Sequence, residues 1–200
     1  LVLPGQAHAA SPCTDYAARV PNVSRALCEA AQLQPSGARS VLKRNIWLRE
    51  IKPAQASLRV LVIGAIHGDE LSSTSLALNW IKPATVAPAE TPQVVHWRFV
   101  PMLNPDGVFA KLPLRVNAHG VDLNRNFPTP HWETDAKTYW EQRTGKDPRR
   151  WPGSKPLSEP ESRYLVEEMR SFKPNLIVSI HAPYGVLDFD RPHNFNVNWV

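Results

Sequence analysis

Two hundred residues, 42% of them hydrophobic and 20% charged, describe an ordinary globular chain with enough length for one domain and a sizeable core. No apolar run approaches the length of a transmembrane helix, so a membrane span is excluded from the expected architecture. The formal net charge of +5 would suit an anionic partner, but apart from Lys43/Arg44 and Arg149/Arg150 the basic residues are scattered, and no nucleic acid is expected to bind.

The first ten residues, LVLPGQAHAA, read as the remnant of a secretory signal, with Ala7 and Ala9 forming an A-x-A cleavage pattern. An exported, periplasmic protein is therefore expected. Cys13 and Cys28 are the only cysteines, and in an exported chain they should pair. In a reducing compartment they would be two unrelated thiols. Neither has a Cys or His at zinc-finger spacing, which argues against a structural metal there. Residues 11–56 are read as an N-terminal extension without a chemical motif. Within it, Ser24 to Leu33 suits a short helix, and Ile46 to Ile51 alternates like an edge or hairpin strand.

Residues 57–200 are expected to form the main domain, which begins with SLRVLVIGAIHGDEL, Ser57 to Leu71. Leu58, Val60, Leu61, Val62 and Ile63 show no alternation, as in a strand covered on both faces of a parallel sheet. Gly64 breaks the run. His67 and Glu70 follow three positions apart, near enough for an imidazole nitrogen and a carboxylate to reach one divalent ion. Taken alone, an HxxE is more often a surface histidine beside solvated acids. Glu70 to Lys82 reads as a helix with Leu76, Trp80 and Ile81 on its buried side, ended before Pro83. A Pro-rich connection then leads to a strand over Val94 to Val100. The β-α-β order implies parallel pairing with helices on both faces.

Asn104, Pro105, Asp106 and Gly107 have the chemistry of a β-turn and are read as scaffolding. Arg115, Asp122, Asn124 and Arg125 place two guanidinium groups and an amide in one loop, a set suited to hold a carboxylate or stabilise an oxyanion. Residues 128–156, with Trp132, Trp140 and Trp151, are expected to be a long ordered loop over the cleft, its tryptophans packing rather than touching ligand. Ser158 to Phe172 carries helix signals: Ser158 as N-cap, Pro160 in the first turn, Glu161 completing a capping box, and Leu165, Met169 and Phe172 as the stripe. A second short apolar run, Leu176 to Ile180, then ends in His181. Sites in open α/β sheets form where loops leave the carboxyl ends of strands, so His67, Glu70 and His181 can converge. Two histidines and one glutamate, with a fourth position for water, make a catalytic rather than a structural zinc set.

HGDE at 67 to 70, NPDG at 104 to 107, GVDLNRNFP at 120 to 128, PLSEPES at 156 to 162 and SIHAPYG at 179 to 185 together resemble the carboxypeptidase A-like zinc metallopeptidases, in particular the bacterial murein tripeptide amidases. The resemblance covers roughly residues 57 to 190. It implies an α/β fold with a mixed, largely parallel central sheet and helices on both faces, its C-terminal part missing from the chain. It also implies one Zn2+ held by His67, Glu70 and His181, with Asp122 supporting a zinc-bound histidine. Asn124 and Arg125 would bind the substrate's terminal carboxylate, Arg115 would stabilise the oxyanion, and Tyr184 is a further substrate-binding candidate. The general-base glutamate is expected beyond Val200, since Asp188 and Asp190 match no motif for that role. The implied substrate is a small cell-wall peptide cleaved between γ-D-glutamate and diaminopimelate. Two alternatives stay open: an aspartoacylase-like or succinylglutamate desuccinylase-like amidohydrolase, and a non-catalytic peptide-binding module on a degenerate peptidase fold.

Overall fold

A computed structural model describes residues 11–86 and 94–182. Its centre is a five-stranded sheet of β1 (Gln34–Arg39), β2 (Asn45–Ile51), β3 (Leu58–Ile63), β4 (Val95–Val100) and β5 (Leu176–Ser179), in the order β1-β2-β4-β3-β5. β3 runs parallel to β4 on one side and to β5 on the other, whereas β1–β2 and β2–β4 are antiparallel. The sheet is thus mixed, with its parallel pairings around β3. The helices are α1 (Cys13–Arg19), α2 (Arg25–Ala30), α3 (Leu71–Thr85), α4 (Pro105–Val108), α5 (Trp132–Arg143) and α6 (Pro160–Phe172).

The unalternating sequence of β3 follows from its position. Val60 and Val62 pack with Tyr16, Cys28, Leu78 and Ile81 from α1, α2 and α3. Leu61 and Ile63 face the other way, onto Leu165 and Phe172 of α6. Both faces of the strand are dry, so each of its side chains can be apolar. Cys13 and Cys28 are disulfide-bonded, with Cα atoms 5.3 Å apart, and fasten α1 to α2 over the first of these cores.

Several expectations are corrected. β2 forms the hairpin with β1 but is not an edge, because β4 pairs with its other side. Helix α3 does not stop before Pro83; it runs on to Thr85 with Pro83 inside it. The proline lies in the last turn, where its missing N–H forfeits the bond to the Asn79 carbonyl and the helix ends two residues later. Leu76 is exposed; Ile81 is buried and Trp80 packs against the core as expected, and Ala77 and Leu78 with Ser73, Thr74 and Ser75 complete the buried side of α3. NPDG is the single helical turn α4, capped by Asn104 Oδ1 accepting the Gly107 N–H at 2.9 Å.

Residues 128–156, expected as one long ordered loop, instead contain α5 and a 3-10 turn at Pro148–Arg150. Helix α5 buries only Trp132, so it lacks an apolar stripe; acids in its first turn and Arg143 in its last complement the helix dipole. Ser158 is not the cap of α6. Glu159 occupies that position without a side-chain cap, and Glu161 does not close a capping box. Glu161 is fully buried and accepts the Val41 N–H at 3.0 Å.

Candidate functional site

The site forms where β3 and β5 end side by side. Ile180 donates its N–H to the Ile63 carbonyl at 2.8 Å, which extends the strand pairing and delivers His181 next to the turn after β3. That turn passes close to α4. A Cβ on Gly68 would lie 2.4 Å from the Gly107 carbonyl carbon, so only glycine allows the two backbones to touch. The Gly68 N–H and the Asn104 side-chain amide both donate to the Arg115 carbonyl, at 3.3 and 3.2 Å. NPDG therefore acts as a platform for the HGDE turn.

On this platform His67 Nδ1 stands 2.8 Å from Glu70 Oε1, and His181 Nδ1 stands 3.0 Å from Glu70 Oε2. One possible ligand atom from each of the three residues lies within 4.8 Å of the others. The rest of each ring is also engaged. His67 Nε2 faces Asp122 Oδ1 at 3.2 Å, and His181 Nε2 faces Ser179 Oγ at 3.2 Å. With Nε2 committed to a carboxylate, His67 leaves Nδ1 for a metal, and the donor set of two imidazoles and a carboxylate suits zinc. Ser73 fixes the turn by accepting the Ala65 N–H and donating to the Glu70 carbonyl.

The electrostatics follow from this packing. Burial alone would raise the Glu70 carboxyl, but the hydrogen bonds of His181 and His67 outweigh it and bring it down to about 2. Burial alone would lower His67, but Asp122 and Glu70 overcome it, so the imidazole holds a proton above its ordinary range. Asp122 is likewise pushed up by burial and down, on balance, by His67, Arg115 and Arg125. It is the hub of the site. Its Oδ2 receives Arg115 Nε at 2.9 Å and lies 3.4 Å from Arg125 Nη1.

Asn124 and Arg125 lie on a 3-10 turn whose N-cap is Asp122. Asn124 is exposed, while Arg125 is partly covered, 5.7 Å from the Tyr139 ring, and its buried Nε has no partner among the described residues. Trp132 donates to the Arg125 carbonyl at 2.7 Å, and Trp140 packs edge-on against Trp151. These tryptophans serve packing, as expected. The structure therefore brings Arg115, Asp122 and Arg125 to the His67, Glu70 and His181 cluster, with Asn124 next to Arg125. Tyr184, Asp188, Asp190 and the signal pattern at Ala7 and Ala9 lie outside the described residues.

Sequence reasoning missed Ser73, Asn117 and Asn126 as organisers of the site, whereas Asn104 serves the scaffolding expected of NPDG. Each of the three is a buried polar residue, and Asn126 lies within the quoted GVDLNRNFP motif.

Comparison with known proteins agrees with this geometry. The chain is 36% identical over 162 residues to murein peptide amidase A of Escherichia coli K12, covering 78% of this chain and 60% of that protein. It is 33% identical over 155 residues to murein peptide amidase A of Vibrio campbellii, covering 74% and 58%. The chain thus spans about 60% of the length of these relatives. Among solved structures, murein-tripeptide amidase from Escherichia coli O157 superposes with a TM-score of 0.53 at 30% identity, covering 74% of this chain and 60% of that one. Bovine thrombin-activatable fibrinolysis inhibitor shares the fold, with a TM-score of 0.64 at 18% identity over 86% of this chain and 62% of that one. Residues 29–191 match the family model described as zinc carboxypeptidase, and it is to the zinc carboxypeptidase family that this chain belongs.

Proposed function

We propose that the chain carries the metal centre of an exported, periplasmic amidase that cleaves peptides derived from murein next to a free carboxylate, at the bond between γ-D-glutamate and diaminopimelate. The observation that carries this reading is the convergence of both imidazoles and both arginines around two carboxylates, Glu70 and Asp122. The murein peptide amidases among its relatives support the substrate class, and the disulfide supports export.

His67, Glu70 and His181 would hold the zinc. Bound there, zinc supplies a Lewis acid that polarises a carbonyl and acidifies water. Asp122 fixes the His67 tautomer through Nε2. Arg115 is held by Asp122 with Nη1 3.8 Å from Glu70 Oε1, and this nearness to the cluster supports its role in stabilising charge on a carbonyl oxygen. Arg125, whose buried Nε has no partner among the described residues, and Asn124 receive the carboxylate of the departing residue. The carboxylates that meet the imidazoles among the described residues are Glu70 and Asp122, both already committed, so the proton-accepting base is assigned to no described residue. That observation keeps a non-catalytic peptide-binding module as the second reading.

The test is release of diaminopimelate from L-Ala-γ-D-Glu-diaminopimelate, followed by mass spectrometry with added zinc and with chelator, on this chain and on the longest natural form. Zinc-dependent release supports the amidase. Zinc binding without release from either form favours the binding module, and release of an acyl group from N-acyl amino acids in its place favours the acylase-like alternative.

A further inference from the structure

Four groups of the site, Arg115, Asp122, Asn124 and Arg125, come from a loop with a single 3-10 turn as its only regular structure. Something must hold that loop to the sheet. The Asn117 side chain, 2% exposed, lies at its centre with every polar atom engaged. Its Oδ1 accepts the N–H groups of His119 and Val121 at 3.0 and 3.1 Å, and its own backbone N–H donates to the Val121 carbonyl at 3.0 Å. These bonds close residues 117–121 into a ring. The ring brings together the segments on either side of it, and there Arg115 Nε meets Asp122 Oδ2 at 2.9 Å.

The other half of the amide faces helix α6. Asn117 Nδ2 donates to Glu159 Oε2 at 2.7 Å and to Glu161 Oε2 at 3.2 Å. Both glutamates are buried at the start of the helix, which packs through Leu165 and Phe172 on Leu61 and Ile63 of β3. The same strand therefore reaches the site twice. One path runs through its own end to His67, and the other runs through α6, Glu159, Glu161 and Asn117 to Asp122. They meet at the bond between His67 and Asp122.

From this closure we infer that Asn117, clamped by Glu159 and Glu161, is a positioning residue that sets Asp122 against His67 and so tunes the affinity of the site for its metal. It touches neither metal nor substrate. The inference rests on the reading of His67 as a metal ligand.

The test uses zinc alone as the probe, by competition against a chromogenic chelator, on the unmodified chain and on Asn117→Ala. The expected result is a loss of about tenfold in zinc affinity, the lower end of what removing a ligand's hydrogen-bond support costs. The slowly exchanging imidazole proton of His67 Nε2, seen downfield by proton NMR in the zinc-bound chain, should shift or vanish in the variant while the remaining spectrum stays folded. Should Asn117→Ala fail to fold, the isosteric double variant Glu159→Gln/Glu161→Gln decides, with a loss of several-fold expected. A folded variant with unchanged zinc affinity and an unmoved imidazole proton overturns the inference, since a merely structural role lowers stability without changing either. An unmodified chain that binds no zinc instead overturns the metal-site reading beneath it, so the two failures are distinguishable.

Discussion

Glu70 and His181 stand 111 positions apart in the chain, yet Oε2 of the first lies 3.0 Å from Nδ1 of the second. The other oxygen of the same carboxylate meets His67. Replacing Glu70 with Gln keeps the shape and removes the charge that both imidazoles face. Zinc affinity should fall by more than about 100-fold, because even the loss of a hydrogen bond behind a ligand costs about 10–100-fold. Chelator competition measures it, and a fall below tenfold would remove Glu70 from the ligand set.

Protons and metal compete for this cluster, and the directions of the shifts set the pH dependence. His67 is raised in the metal-free fold, so its contribution to stability is fully present below its ordinary value of 6.5 and is lost as pH rises through the raised one. Glu70 is lowered from 4.5 to about 2, so its contribution is present above 4.5 and is lost as pH falls towards 2. The metal-free chain should therefore draw most stability from the pair between about pH 4.5 and 6.5. Zinc must displace the His67 proton, so its affinity should climb with pH over the neutral range. Thermal midpoints with zinc and with chelator, taken across this range, check both signs. Equal dependence on pH in the two conditions would show that His67 is not the group that titrates.

Arg125→Lys keeps a positive charge but loses the fork that can grip a carboxylate with two parallel bonds. In the longest natural form, KM for a substrate with a free terminal carboxylate should rise by about 10–100-fold, the equivalent of roughly 1.5–3 kcal/mol for a hydrogen bond to a charged group. An analogue amidated at that carboxylate should be handled alike by both proteins. A penalty of equal size on the amidated analogue would move Arg125 out of the carboxylate pocket.

Gly68→Ala drives a methyl group to 2.4 Å from backbone at Gly107, where no side chain can rotate away. Stability should fall by about 3 kcal/mol, the upper part of the range for overpacking, and zinc affinity should fall with it as the turn lifts off α4. Denaturant unfolding together with the zinc titration tests this. Unchanged values for both would mean that the two loops separate at little cost.

Removing the disulfide by Cys13→Ser/Cys28→Ser opens a loop with a sequence separation of 15, for which about 3 kcal/mol of stability should be lost in the chain-entropy model. Denaturant midpoints of the oxidised chain and the variant give the difference directly.

The parts of the fold legible in the sequence are those where one strong local rule acts. The apolar run of β3 announced a strand buried on both faces, the shorter run before His181 announced a second strand although one side of it is exposed, and the breaks after them announced the site. Helix α5 was not legible, because its only buried side chain is Trp132 and charge pairing with the helix dipole leaves no periodicity to read. Glu161 misled for the opposite reason. Its spacing from Ser158 fits a capping box, but long-range bonds to Val41 and Asn117 take up the carboxylate instead, and no local pattern encodes a partner 120 positions away. Asp122 contacts two arginines and His67, the kind of partner the resemblance implied for it, while the asparagines that hold its loop lie outside any rule of spacing.

The pairing of β5 with β3 also sets an order in time. During synthesis at about 5–20 residues per second, the turn bearing His67 and Glu70 emerges roughly 6–20 s before His181. Over that interval the nascent chain offers a pair of ligands in place of three, and the third arrives only as the last described strand docks against β3. Tight metal capture is thereby tied to the docking of β5 on β3, so an ion is held firmly only by a chain in which these two strands have paired.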